Sequence, residues 1–507
     1  MTSPSKRILM TADWVVGHED GRHTLLPGGQ IVYEGATVLF VGHDFSGEVD
    51  ERVDCGQALI APGFIDLDAL SDLDTTILSF DNHPAWAKGR VWPKTYMDAG
   101  PYEMYSPEEL VFQKRHAFAR LIRNGVTTAL PIASLYYRQW GETVEEFEGA
   151  ADAAADLGLR VYLGPAYRTG NPFIVEEGKV EFFFDEPRGL AGLDDAVTFC
   201  ERLEGRNGGL VRTMLAPDRI ETCTAELLRR TAAAGRDLGV PVRLHCCQGG
   251  FERETVRRLH GMTSIEWLQS LDFLTEKTLL PHGTFVSPSR FVPEPGRDLD
   301  IIAEKGSIIV HCPLVAARFG DGLESFKTYR KRGLRIGLGT DTSPPDMLLN
   351  MQTGLMICRF VEGEAQACRA EDYFDAATVG GADALGRADL GRLAPDCRAD
   401  MVVWDLSNPD LGQVIDPIQT LMISGCGRDA RTVIIDGRTV MRDREIPVMD
   451  YTAEAVRAQR QFNRLMAKYP ERTLGNPPAN EIFSSAYRVI PKAPCRKRPG
   501  PAHRRNI

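Results

Sequence analysis

The sequence predicts an α/β protein: a (β/α)8 barrel (TIM barrel) with a small β-sandwich formed from both chain ends. Eight short apolar runs alternate with helical segments, and several end in a polar side chain where a barrel carries its chemistry. Short β-type segments at the two ends of the chain are each too small to bury a core alone. The eight runs are residues 58–65, 127–132, 159–164, 211–216, 242–247, 278–282, 307–312 and 335–340.

Helix boundaries support this alternation. Ser106-Pro-Glu-Glu109 is a capping box with proline at the first helical position. Several apolar runs follow a glycine suited to ending a helix, namely Gly125, Gly158, Gly239, Gly306 and Gly333. Because no glycine-rich dinucleotide loop follows the first run, the pattern favours a barrel over the alternative, an open doubly wound sheet.

The chain ends differ from the middle. Residues 7–10, 30–33 and 37–42 before the barrel, and 399–405 and 432–441 after it, are predicted strands. We therefore predict a β-sandwich from residues 1–60 and 385–450, a barrel over 61–384, and a C-terminal helix with a basic disordered tail over 451–507. The tail carries basic residues among prolines, with no acidic residue after Lys492.

Composition narrows the function. The 507 residues are 43% hydrophobic and 25% charged, typical of a soluble globular protein, and the net charge of −11 argues against nucleic-acid or membrane-surface binding. We expect no signal peptide and no membrane span, since no apolar stretch is long enough. The eleven cysteines, without a CxxC pair, indicate reduced thiols. The expected partner is a small molecule, and the expected location is the cytoplasm.

Three strand ends carry ligand-type side chains. Asp341 follows the apolar run in Arg335-Ile-Gly-Leu-Gly-Thr-Asp341, His245 ends Pro241-Val-Arg-Leu-His245, and His282 ends Thr278-Leu-Leu-Pro-His282. The carboxyl ends of barrel strands meet at one rim, so these side chains are predicted to share one site.

The ordered motifs of the chain resemble those of the amidohydrolase superfamily, in the branch of cytosine and guanine deaminases and triazine hydrolases. The matching strings are Ala61-Pro-Gly-Phe-Ile-Asp66, Asn124-Gly-Val-Thr-Thr128, His245, His282-Gly283, His311-Cys-Pro313, Leu338-Gly-Thr-Asp341 and Gly391-Arg-Leu-Ala-Pro-Asp-Cys-Arg-Ala-Asp400. The resemblance covers roughly residues 5–445. It implies a barrel with a β-sandwich, metal-dependent hydrolysis of C–N or similar bonds in small heterocyclic molecules, and a homodimer.

The sequence departs from this family pattern in three places. Asp68 and Leu70 stand where the family has His-x-His on the first strand, and Gln248 stands where this branch has a glutamate. Val315-Ala316 replaces the usual small polar pair after His311-Cys-Pro313. The first change removes two metal ligands, and the second removes the proton shuttle of the deaminases.

A mixed ligand set is nevertheless predicted. Asp68, His245 and Asp341, with His282 or Cys247, form an open site for one divalent metal ion, for which zinc, iron or manganese is suitable. Asp341 is then base and ligand, His245 a ligand, and His282 stabilises the attacking or carbonyl oxygen. Without metal, Asp341 paired with His282 would act as general base.

The predicted substrate contacts are Gln248, His311, Arg168, Trp86 and His83. Trp86 and Arg168 suit a flat heteroaromatic ligand with a carboxylate or ring oxygen. The leading hypothesis is a hydrolase of a C–N bond, by deamination or cyclic amide opening, or of a C–Cl bond. Two alternatives stay open: a metal-free pseudoenzyme or binding protein, and a metal-independent lyase or isomerase.

Overall fold

The fold is known from a computed structural model that describes residues 5–73, 76, 91–132, 135, 138–323 and 325–490. Within these residues, two four-stranded parallel sheets form the barrel. Their strands are Phe64–Leu70, Val126–Ile132, Arg160–Leu163 and Val211–Thr213 in the first sheet, and Val242–Arg243, Thr278–Pro281, Ile308–His311 and Arg335–Leu338 in the second. We number them barrel strands 1 to 8 in this order.

Backbone contacts join the two sheets at both seams. A parallel bridge between Leu215 and Val242 links the segment after strand 4 to strand 5. At the other seam the Asp341 N–H donates to the Asp68 carbonyl over 2.8 Å. The predicted (β/α)8 barrel is confirmed.

Helices cover the outside of the barrel and connect its strands. In the described part of the chain they are Lys94–Asp98, Pro107–Arg123, Val144–Leu157, Glu186–Leu203, Arg206–Gly209, Ala225–Leu238, Gly250–His260, Ser264–Ser270, Asp298–Lys305, Pro313–Arg318, Phe326–Lys331, Met347–Glu362, Ala370–Ala377, Val379–Ala384, Pro417–Ser424, Tyr451–Lys468 and Ala479–Ile482. The capping box at Ser106 is present, and Gly158, Gly239 and Gly306 end their helices in the left-handed conformation.

The first apolar run proves to contain two strands. Ala58–Pro62 lies in the β-sandwich, and Phe64–Leu70 is barrel strand 1. Gly63 separates them, and a Cβ there would lie 2.1 Å from a side-chain carbon of Thr127. The prediction of a single strand over 58–65 was wrong because this close approach bends the chain between the two sheets.

The two chain ends share one sheet. Ala58–Pro62 pairs antiparallel with Met401–Asp405 in a six-stranded sheet that also holds Trp14–Glu19, Arg22–Pro27, Ala430–Ile435 and Arg438–Met441. A four-stranded sheet holds Arg7–Thr11, Gln30–Glu34, Thr37–Gly42 and Glu51–Asp54. Met10, Ile31, Ile60 and Met401 belong to one apolar cluster that draws on both sheets. The proposed domain limits at residues 60, 385 and 450 stay a prediction.

A hairpin stands over the barrel rim after strand 3. Its strands Gly170–Glu176 and Lys179–Phe184 pair with each other, and the first also pairs with the short strand Trp92–Pro93. Two further short strands, Ala166–Tyr167 and Ala216–Pro217, extend the rim. The hairpin was not predicted from the sequence.

Helix Tyr451–Lys468 follows the sandwich strands, and its Gln461 side chain donates to the Glu109 carbonyl. The predicted basic tail, from Lys492 onward, lies beyond the described residues, which end at residue 490. Across the described chain, none of the helices combines the length and the apolar character needed to cross a membrane.

Candidate active site

Four side chains from four barrel strands meet at the rim. Asp68 lies on strand 1, His245 follows strand 5, His282 follows strand 6 and Asp341 follows strand 8. One ligand-type atom from each lies within 4.8 Å of the others. His245 Nε2 is 3.4 Å from Asp68 Oδ2, and His282 Nε2 is 3.5 Å from Asp341 Oδ2. We call these four residues the site cluster.

The chain turns sharply where it delivers these side chains. Cys247, His282 and Asp341 have positive φ values of 59°, 82° and 42°, which non-glycine residues rarely adopt. Backbone hydrogen bonds hold the turns, since the His282 N–H donates to the Val310 carbonyl over 2.9 Å. Strained backbone of this kind concentrates at functional sites.

Asp66 fixes strand 1 to strand 8 below the site cluster. Its carboxylate accepts from the Thr340 N–H at 3.0 Å, from the Thr340 hydroxyl at 2.6 Å and from the Asp68 N–H at 3.1 Å. Burial raises the pKa of Asp66 to about 6 despite these donors. Asp66 therefore positions both Asp68 and Asp341 from the barrel interior.

Arg243 is a buried cation directly beside the site cluster that the sequence analysis missed. Its Nε lies 3.6 Å from Asp68 Oδ1, and its guanidinium reaches the carbonyls of Leu130 and Pro131 at 3.4 Å. Arg243 stands two residues before His245, so both point to the same face of strand 5. This two-residue spacing is the sequence signal from which Arg243 could have been predicted at the site.

Burial and mutual charge set the protonation of the site cluster. Burial raises the pKa of Asp341 to about 8, and Asp68 adds to this effect. Burial also opposes ionisation of Asp68, but His245 and Arg243 outweigh it and lower the Asp68 pKa. Burial and the neighbouring His245 hold the pKa of His282 well below its usual value. Both effects favour the neutral form of the His282 imidazole.

Asp68 favours the protonated, positively charged form of His245. Burial lowers its pKa, yet the contact with Asp68 overrides burial and leaves the pKa raised. Its Nδ1 lies 3.2 Å from the Asp218 carbonyl, which leaves Nε2 turned to the cluster.

The donor set fits one divalent metal ion. A tetrahedron with metal–ligand bonds of about 2.1 Å has edges of roughly 3.4 Å, close to the two measured separations. Two imidazoles and two carboxylates are suitable ligands for zinc, iron or manganese. Among the described residues, buried His282 Nε2 has no hydrogen-bond partner, which is the state expected of an atom reserved for a cation.

The site cluster opens into a cavity of about 550 Å³. His245 and Asp341 line it, and two of the family departures, Leu70 and Val315, give it apolar walls next to the cluster. Gln248, predicted to contact substrate, also lines it. Trp86 and His83, predicted alongside it, fall outside the described residues.

Arg168 lines the cavity but is already engaged. Its guanidinium lies 3.6 Å from Asp218 and stacks near Trp92 and Trp140, at 5.8 and 5.4 Å from the ring centroids. These contacts make Arg168 part of the cavity wall. Its predicted contact with a substrate carboxylate would have to compete with Asp218.

His311 lies apart from the cavity lining, contrary to the expectation that it contacts substrate. Its ring packs at 6.2 and 6.1 Å from the rings of Phe326 and Tyr373, in the layer between strands and helices. Alternation along strand 7 turns Val310 and Cys312 inward instead, and Cys312 Sγ lies 3.9 Å from Asp68 Oδ2.

Cys247 also departs from the alternation that predicted it beside His245. Its thiol lies 3.5 Å from that of Cys246, and a ligand-type oxygen of Glu252 lies within 4.8 Å of both. The positive φ of Cys247 breaks the regular strand geometry on which the alternation rule depends.

The cavity has a charged wall that sequence reasoning did not find. It consists of Asp218, Arg219, Glu221 and Glu252. The polar residues directly after the fourth apolar run, in Pro217-Asp-Arg-Ile-Glu221, were the available signal, since this is the same rim position that identified the other strand ends.

An aromatic ladder borders the same cavity. The ring of Phe182 on the hairpin stacks between Phe251 and Phe184 at 6.1 and 5.9 Å, and Phe251 lines the cavity.

Comparison with known proteins agrees with this architecture. Curated 5-methylthioadenosine/S-adenosylhomocysteine deaminases are similar along nearly the whole chain. The protein from Halobacterium salinarum is 28% identical, with 91% of this chain and 99% of the relative covered. The protein from Natronomonas pharaonis is 26% identical, with 86% and 93% covered.

Solved structures share the fold. An adenosine deaminase from Xanthomonas campestris with bound zinc superposes with a TM-score of 0.75 at 19% identity, covering 90% of this chain and 98% of that one. An atrazine chlorohydrolase from Arthrobacter aurescens TC1 complexed with zinc gives 0.70 at 21% identity, covering 90% and 99%. The sequence profile of the Amidohydrolase family matches residues 59–440. With the profile spanning the barrel and all four strands of the site cluster, this chain belongs to the amidohydrolase family.

Proposed function

We propose that this protein is a metal-dependent hydrolase that uses water to displace an amino group from a carbon of a small heterocycle. The observation that carries the proposal is the four-donor site cluster opening into a 550 Å³ cavity. The curated relatives are named as deaminases of adenosine derivatives, which supports an amino-substituted ring as substrate.

The metal ion would be held by Asp68, His245, His282 and Asp341, and zinc is the first candidate because solved neighbours carry it. When bound, such an ion lowers the pKa of a water molecule toward about 7 and so supplies a nucleophile at neutral pH.

Asp341 carries the proton in this reaction. It lines the cavity beside the other donors, so it takes a proton as the water oxygen bonds to the ring carbon. The carbon–nitrogen bond then breaks, and the same proton passes to the nitrogen, which leaves as ammonia. Asp341 serves both steps because the Gln248 amide is not an acid.

The remaining side chains orient the site cluster and enclose the reacting side of the cavity. Neutral His282 keeps a lone pair available for the ion, and Arg243 with Asp66 holds the carboxylates in register. Leu70 and Val315 exclude water from the reacting side of the cavity, which strengthens the electrostatic interactions there.

The test combines metal analysis with turnover. Purified protein should contain close to one equivalent of a divalent metal and release ammonia from adenosine or 5′-methylthioadenosine, incorporating labelled oxygen from solvent water. Chelation should abolish the activity, and zinc should restore it. Activity that survives chelation without oxygen uptake would favour the lyase or isomerase alternative, and absence of turnover with any aminated heterocycle would favour the binding protein.

Displacement of chloride is a second candidate reaction, favoured by Gln248. Chloride departs without a proton, so a site that lacks a carboxylic acid at this position suits it better than it suits nitrogen. Matched amino- and chloro-triazines compared at equal concentration decide between the two leaving groups. Faster release of chloride than of ammonia would make dehalogenation the leading function and deamination the second.

We further propose a cytoplasmic homodimer with a small-molecule substrate and no nucleic-acid or membrane partner. The net charge of −11 supports the last two points. Size-exclusion chromatography with light scattering tests the dimer.

A further inference from the structure

The 3-10 turn Ile220–Thr222 places a glutamate in the cavity wall next to His245. Two backbone hydrogen bonds tie this segment to His245: the His245 N–H donates to the Asp218 carbonyl at 3.4 Å, and the Ile220 N–H donates to the His245 carbonyl at 3.1 Å. Glu221 is the next residue along. Its position is therefore fixed relative to the site cluster.

The two carboxylate oxygens of Glu221 are in different situations. Oε1 accepts from Arg219 Nε at 2.8 Å. Oε2 is buried and, within the described part of the chain, has no hydrogen-bond partner. The side chain as a whole is 5% exposed. A buried carboxylate oxygen without a donor is costly. Glu221 lines the cavity, so a bound substrate can supply that donor.

We propose that Glu221 is a specificity-determining residue that accepts a hydrogen bond from a neutral O–H or N–H group of the substrate. This inference rests on the proposed function, because it takes the cavity as the substrate site. Arg219 already balances the charge of Glu221, so a neutral donor fits better than a second cation. The substrate is then a heterocycle with a donor group besides its leaving group.

Two sources of that donor are distinguishable: a hydroxyl on a substituent such as a sugar, or an N–H on the ring system. Adenosine and 2′,3′-dideoxyadenosine form a pair that differs in hydroxyls. A monoalkylamino and a dialkylamino chlorotriazine form a pair that differs in one N–H.

Glu221→Gln provides a readout that a structural role would not move. Arg219 donates a hydrogen bond to Oε1 of Glu221. In the glutamine variant the amide oxygen therefore occupies the position of Oε1, and the NH2 group occupies the position of Oε2. An acceptor thereby becomes a donor. The preference of kcat/KM for the donor-bearing member of one pair should fall by about tenfold to a hundredfold, since a hydrogen bond to a charged group is lost.

A matched control is Glu226→Gln, an exposed glutamate on the following helix, which should leave both preferences unchanged. Thermal unfolding checks that Glu221→Gln folds, and if it does not, Glu221→Asp withdraws the carboxylate by one methylene and should lower the same preference. A loss in the nucleoside pair assigns the hydroxyl, and a loss in the triazine pair assigns the N–H.

Unchanged preferences in both pairs would overturn the proposal for Glu221. If the wild-type protein turns over none of the four compounds, the proposed function fails, and calorimetric affinities of the same compounds still test Glu221. Equal loss of affinity for both members of each pair in Glu221→Gln would also overturn it.

Discussion

Two buried clusters of charged side chains lie near the end of barrel strand 1, and they are built in different ways. The site cluster combines two carboxylates and two histidines, with Arg243 as the nearby cation. The second cluster, which we call the ion network, lies around Lys114 and Arg138 and contains Asp72, Glu103, Glu142 and Glu146.

The ion network is a set of close opposite charges. Lys114 Nζ lies 3.3 Å from Asp72, 3.0 Å from Glu142 and 3.3 Å from Glu146, and it donates to the Ser71 hydroxyl at 3.0 Å. Burial opposes the charge on Lys114, but its three carboxylate neighbours outweigh burial and raise its pKa. The network therefore joins strand 1 to two helices.

The site cluster instead brings two acids, Asp68 and Asp341, close together. Asp341 has its pKa raised to about 8 by burial and Asp68, whereas Glu146 in the network has its pKa lowered, because Lys114 and Arg138 outweigh burial. Burial thus accompanies charge pairing in the ion network and crowded acids in the site cluster, which we propose as a cation site. Three substitutions test this contrast.

The largest expected effect is on activity, in the site cluster. Asp341→Asn should lower kcat by about 10²- to 10⁴-fold, because it removes the proposed proton carrier and a proposed metal ligand. Asparagine tolerates the positive φ of this position, so the fold should persist. The metal-free variant should unfold at the same or a higher temperature than metal-free wild type, since one of two crowded acids is gone.

Steady-state kinetics, metal analysis and differential scanning calorimetry measure these outcomes. A variant that keeps full activity, or one that is clearly less stable without metal, would show that the site cluster is a structural ion pair like the network.

The second effect is on stability, in the ion network. Lys114→Met should reduce the free energy of unfolding by about 3–5 kcal/mol, because it leaves three buried carboxylates with one cation fewer. Denaturant unfolding measures it. Lys94→Met is the matched control: Lys94 is an exposed lysine paired with Asp98, and its loss should cost about 1 kcal/mol or less. If both variants lose a similar free energy of unfolding, the ion network does not stabilise the fold more than an exposed ion pair does.

The smallest effect is a pH dependence within the network. Four carboxyl groups face two cations, and burial together with Glu146 and Asp72 outweighs the pull of Lys114 and raises the pKa of Glu142 to about 7. A raised carboxyl pKa means that the folded state holds a proton that the unfolded state releases. Its stabilising contribution is full below about pH 4.5 and is lost as the pH rises through 7.

Glu142→Gln removes this titration. The stability of wild type relative to the variant should therefore decline by about 1–3 kcal/mol between pH 4.5 and pH 8. Unfolding curves at several pH values measure the decline, and Glu145→Gln, at an exposed glutamate on the neighbouring helix, controls for the substitution. If the stability difference between wild type and Glu142→Gln stays constant with pH, Glu142 does not hold the proton.

Much of the site followed from strand order and local pattern. His245, His282 and Asp341 each end an apolar run, and a parallel barrel brings such ends to one rim whatever the loops contain. Asp68 followed from its place in a motif that enters the first strand. The structure brings one ligand-type atom from each of the four within 4.8 Å of the others, and their role as metal ligands stays a prediction.

The remaining site residues depended on strand direction and on contacts across the barrel. His311 and Cys312 are neighbours in sequence, and the register of strand 7 decides which of them faces Asp68. Cys247 escaped alternation because its backbone leaves the strand at a positive φ. Arg243 is recognised as part of the site only by its short distance to Asp68, a residue 175 positions earlier in the chain.

The sequence by itself determined the barrel, the β-sandwich at the chain ends and three of the side chains at the strand ends, because hydrophobic period and turn residues are local properties. Tertiary structure alone decided which buried charges balance each other and which stay open to the cavity. Charge balance depends on distances between residues far apart in the chain, and no local pattern contains those distances.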